Sequence, residues 1–78
     1  MTEMETWKKA MVRFWDNLPY KDRQLFRLRV LKNCDISPST FYRWRTGATL
    51  PESSSRQKMN YIALSMGYSR VFNPKKTI

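Results

Sequence analysis

The sequence predicts an all-α domain, a small bundle of about four helices. Leu and Met together number eleven against six Val plus Ile, a balance that favours helices over strands. Apolar residues recur at spacings of three and four in separate stretches, and Pro or Gly punctuates the chain between them.

The first helix is expected over about residues 3 to 18. Thr2 with Glu5 three positions on makes a capping-box pattern, and Trp7, Met11, Phe14, Trp15 and Leu18 then form one apolar face. Trp7 and Trp15 read as the staple that holds this helix to the bundle. Pro19 ends it, because the residue before a proline is pushed out of the α region. A second helix is expected from near Asp22, whose carboxylate suits the N-terminal dipole, to about Asn33. Its apolar side is read as Leu25, Phe26, Leu28, Val30 and Leu31, and its polar side is mostly arginine.

Ser37 followed by Pro38 is an N-cap with proline in the first helical position, where the missing N–H costs nothing, and Gly47 is the expected terminator. The third helix is therefore short, about nine residues. A loop through Pro51 follows, and Ser53 or Ser54 is expected to cap a fourth helix carrying Met59, Ile62, Ala63 and Met66 on its apolar face, closed by Gly67. Residues 1–67 read as a single domain and 68–78 as a basic C-terminal tail without a helical period. Lys75 and Lys76 suit an electrostatic arm there, and Val71, Phe72 and Ile78 suit a homodimer contact.

The chain has 78 residues, with fifteen Lys plus Arg against six Asp plus Glu and a formal net charge of +9. A chain of this length leaves roughly 40% of its unfolded surface exposed after folding, so its core is thin and an enclosed substrate pocket is hard to build. Histidine is missing altogether, which excludes His-based acid–base chemistry and Cys/His zinc sites; the single Cys34 makes neither an internal disulfide nor a thiolate metal cage. No convergent acidic, nucleophilic or metal-binding set stands out. The expectation is a non-enzymatic protein with no cofactor, no metal and no small-molecule ligand. An acidic N-terminal start and the lack of a long apolar run predict a soluble cytoplasmic protein with no membrane role.

The charge is uneven. Residues 1 to 20 balance to zero, residues 21 to 45 carry +5 and residues 46 to 78 carry +4. Such one-sided excess points to a polyanion. Only about four residues, Cys34 to Ser37, separate the second and third helices, a link that fits the angled packing of a helix-turn-helix over about residues 22–46. At 100° per residue, Phe41 and Trp44 fall on one side of the third helix with Ser37. Ser39, Tyr42, Arg43 and Thr46 fall together on the other, as side chains sized to reach base edges in a major groove. Candidate phosphate contacts are Arg27, Arg29, Arg45, Ser54 and Arg56, with the N-terminus of the fourth helix at Ser53, Ser54 and Ser55 offering hydroxyls and free N–H groups.

The ordered set Ile36-Ser37-Pro38-Ser39-Thr40-Phe41-Tyr42-Arg43-Trp44-Arg45-Thr46-Gly47, then Pro51, then Ile62-Ala63-Leu64-Ser65-Met66-Gly67 resembles the lambda-repressor-like, Cro/Xre type helix-turn-helix DNA-binding family. The resemblance covers residues 27 to 67 and implies sequence-specific binding of double-stranded DNA by a small transcriptional regulator. Leu31 stands where the family has a small residue, which alters how closely the two helices approach. Asp35 stands at the turn glycine, and Asp tolerates the left-handed conformation better than most residues. The rival reading is a protein-interaction module on the same fold. Structured RNA is disfavoured, because a helix does not enter the narrow major groove of A-form RNA.

Overall fold

A computed structural model describes residues 3–72 of the chain, with side chains from residue 6 onward. Four helices make up the fold: α1 (Glu3–Asn17), α2 (Tyr20–Cys34), α3 (Pro38–Thr46) and α4 (Ser53–Ser65). No strand occurs among the described residues. α2 packs on α4, and α3 packs on both α1 and α2. The capping box expected at Thr2 and Glu5 lies outside the described residues and side chains, as do Lys75, Lys76 and Ile78.

Arg23 closes α1. Its Nε donates to the carbonyls of Trp15 (3.1 Å) and Leu18 (3.0 Å), and Nη2 donates to that of Asp16 (3.1 Å), so one guanidinium satisfies carbonyls the helix end leaves without intrahelical partners. α2 begins two residues before Asp22. Pro19 holds φ at −57° and its carbonyl accepts the N–H groups of Asp22 (2.9 Å) and Arg23 (3.0 Å), so the turn closes without a side-chain cap. The Asp22 carboxylate instead accepts the Tyr68 hydroxyl, and that bond pushes the phenol's pKa above its ordinary 10.0.

The inward face of α2 differs from the sequence reading. Phe26 and Val30 are buried with Leu31 and Cys34 partly so, but Leu25 and Leu28 are 41% and 50% exposed. The inward stripe runs Arg23, Phe26, Arg27, Val30, Leu31, Cys34, a helical repeat of three and four in which arginine stems line the upper part. Leu25 and Leu28 lie on the far side of that wheel.

Asp35 sits at φ 54°, ψ 54°, in the left-handed region, with its N–H bonded back to the Leu31 carbonyl. It therefore acts as the turn residue despite its side chain. Ser37 caps α3 through a bond from the Thr40 N–H (3.3 Å), and Gly47 ends it at φ 84°. A Cβ on Gly47 would stand 3.2 Å from Val12 Cγ2, so this glycine serves both the turn and the close approach of α1. α4 starts after Glu52, whose side chain forms no cap; Ser53 and Ser54 lie within its first turn instead of capping it. Gly67 (φ 91°) closes α4 and lets the Tyr68 N–H return to the Ala63 carbonyl at 3.0 Å.

The core joins Met11 and Leu18 of α1 and its exit, Phe26 and Val30 of α2, Phe41 and Trp44 of α3, and Met59, Ile62 and Ala63 of α4. Its centre is aromatic: Phe14–Phe26 centroids are 5.0 Å apart, Trp15–Phe41 5.4 Å and Phe26–Phe41 6.4 Å. Val71 and Phe72 complete it. The packed body therefore runs past residue 67, and these two side chains, expected as a dimer contact, are buried in their own chain. Asn60 holds them there, its Nδ2 donating to the Phe72 carbonyl (2.9 Å) and its Oδ1 accepting the Phe72 N–H (2.7 Å).

Ser55 is buried rather than exposed beside Ser53 and Ser54, and it bonds to Cys34. Burial pushes the Cys34 thiol above its ordinary 9.0, with the Ser55 bond and nearby Lys58 pulling it back only in part. Because the thiolate is the nucleophile, iodoacetamide at pH 7.5 should label Cys34 more slowly in the folded protein than in urea. Equal rates would place the thiol in open solvent.

Candidate nucleic-acid interface

α3 has two unlike faces. Phe41 and Trp44 are 1% and 7% exposed, while Ser39, Tyr42, Arg43 and Thr46 all lie on the exposed side, Tyr42 at 56%. The helical wheel is the cause: with both aromatics turned into the core, residues two, five, six and nine of the helix must point away from it. The four base-contact candidates are thus brought together on one stripe.

Their hydrogen-bonding capacity is already partly directed. The Thr46 hydroxyl donates to the Tyr42 carbonyl (2.9 Å) or that of Arg43 (3.2 Å), leaving its oxygen to act as an acceptor toward a ligand. Ser39 Oγ stands 3.2 Å from Ser37 Oγ, the capping oxygen. The Arg43 guanidinium is exposed. The Arg45 guanidinium lies over the Tyr42 ring, 4.7 Å from its centroid.

Arg45 belongs to a stack that sequence reasoning missed. It also lies 5.3 Å from the Trp15 ring, and Arg23 lies 5.6 Å from that ring, giving the order Tyr42, Arg45, Trp15, Arg23 across α3, α1 and α2. Guanidinium groups are attracted to aromatic faces in this way, and a stacked guanidinium keeps the N–H groups at its edge for an anion. The signal was hidden because the partners are up to 30 residues apart in the chain, beyond any helical period.

The five phosphate candidates fare differently. Arg29 on α2 and Ser54 on α4 are exposed, and Arg27 is half-buried on the inward stripe of α2. Arg45 is half-buried within the stack. Arg56 is spent within the fold: Nη1 donates to the Pro51 carbonyl at 2.6 Å and the guanidinium covers the Trp7 ring at 4.1 Å, which ties α1 to the loop before α4. Its positive charge still adds to the field, but its fork does not project outward.

α1 contributes more to this side of the molecule than its neutral sum suggests. An open groove runs between α1 and the end of α3, lined by Lys8, Lys9, Val12, Arg13, Asp16, Asn17, Thr46 and Gly47. Among the described residues no three His, Cys, Asp or Glu side chains cluster as metal ligands, and no helix is long and apolar enough to cross a membrane. No protein-family model, curated protein or solved structure matches the chain.

Proposed function

We propose that α2 and α3 act as a helix-turn-helix that binds double-stranded DNA in a sequence-specific way, as in a small transcriptional regulator. The observation that carries this reading is the division of α3. Its aromatic face is locked in the core, and its other face presents an arginine, a tyrosine and two hydroxyls from a chain of net charge +9.

α3 lies in the major groove in this mechanism. The Arg43 fork meets the O6 and N7 acceptors of a guanine, and Thr46, whose proton is held by the α3 backbone, accepts from an adenine or cytosine amino group. Tyr42 and Ser39 supply the remaining edge contacts. Arg27, Arg29, Arg45 and Ser54, with the uncapped N–H groups opening α4, hold the phosphates. The three-residue turn with a left-handed Asp35, and the capped start of α3, support the rigidity such docking needs.

Selection from a random duplex pool followed by anisotropy titration tests the reading. About five phosphate contacts predict that the logarithm of affinity falls against log salt with a slope of about −4 to −5. Exposed Leu25 and Leu28 favour a second reading, an interaction module for an acidic protein. That reading gains if no duplex binds at low salt, or if the slope is flat.

A further inference from the structure

We propose that α1 forms part of the same interface, with Lys8 and Arg13 holding the phosphate strand that passes the Tyr42 and Thr46 edge of α3. The inference rests on the DNA reading above and extends it to a helix whose residues sum to no net charge.

The argument begins with dimensions. A helix with its side chains is about 10–12 Å across, and the major groove is about 12 Å wide. A helix inserted there has a sugar–phosphate strand along each flank, so any element bordering its exposed stripe meets phosphate. Two observations make α1 that element. Arg45 touches Tyr42 on one side and Trp15 of α1 on the other. Thr46, a member of the exposed stripe, is also a wall of the groove that Lys8, Lys9 and Arg13 line from α1.

The charge of the groove fits a polyanion. Among the described residues its three cationic side chains face a single carboxylate, Asp16. The sum over residues 1 to 20 hides this because Glu3, Glu5 and Asp16 balance Lys8, Lys9 and Arg13 there. Val12 against Gly47 holds α1 at close approach, so the basic wall is fixed in position relative to α3 before any ligand arrives. Arg45, stacked between two rings, offers its edge toward the same strand.

The test uses the full chain and a duplex selected from a random pool, alongside the same duplex trimmed of the base pairs flanking the preferred site on one side or the other. The K8Q/R13Q double variant should lose roughly tenfold in affinity for the long duplex near 0.1 M salt, with a slope shallower by up to about two and unchanged preference among single-base variants. On the duplex trimmed at the flank that α1 covers, wild type and double variant should bind alike. Asp16→Asn removes the opposing carboxylate and should strengthen binding two- to threefold, a gain that damage to the fold would not produce. Unaltered affinity and slope in the double variant, with no gain in Asp16→Asn, would overturn the role of α1 and leave the α3 reading standing. Failure of wild type to bind any duplex would overturn both.

Discussion

Trp44→Ala should cost about 3 to 5 kcal/mol of stability, as should Phe41→Ala. Both side chains are buried, and they fasten a helix of only nine residues, too short to hold itself together in water. Phe41 lies against the rings of Trp15 and Phe26, so its loss opens the contact of α3 with both α1 and α2. A domain of this length commonly has about 4 to 12 kcal/mol in total. Each truncation should therefore lower the melting temperature by roughly 15 to 30 °C or remove a cooperative transition altogether. Arg43→Ala, on the opposite face of the same helix, should stay within about 0.5 kcal/mol of wild type. A Trp44→Ala protein that melts within a few degrees of wild type would show that the core does not depend on this side of α3.

Arg43→Ala separates reading from anchoring. If the Arg43 fork meets a guanine edge, the variant should lose about 1 to 3 kcal/mol on the preferred site and lose preference at one base position. Arg29→Ala, an exposed position on α2, should weaken all duplexes alike and make the salt slope shallower by up to about one. Tyr42→Phe is a finer probe, since it keeps the ring beside Arg45 and deletes only the hydroxyl. The measurement is anisotropy at one fixed salt on the selected site and its single-base variants. An Arg43→Ala loss equal across all variants would make the residue a phosphate anchor, and the base-reading face of α3 would have to be reassigned.

The difference between α3 and α2 explains which parts of this fold are legible in the chain. α3 carries all its instructions locally: a Ser-Pro start, two aromatics three apart, and a glycine whose left-handed φ ends it. Its boundaries and its two faces follow from those residues alone. α2 has leucines on more than one side, and local periodicity cannot choose among them. The choice falls to what α2 packs against, which sets Phe26 and Val30 inward with arginine stems beside them and leaves Leu25 and Leu28 outside.

The amino-acid sequence by itself determined the four-helix all-α class, the short span of α3, its buried and exposed faces, and the excess of positive charge. These depend on residue type and on spacings within one turn or two of helix. Tertiary structure alone decided that Val71 and Phe72 enter their own core under Asn60, and that Arg56 is consumed by Pro51 and Trp7. It also decided that Tyr42, Arg45, Trp15 and Arg23 stack across three helices, and that a basic groove opens between α1 and α3. Contacts of that kind join residues far apart in the chain, and a side chain with several equivalent surfaces takes its partner only when another helix is brought against it.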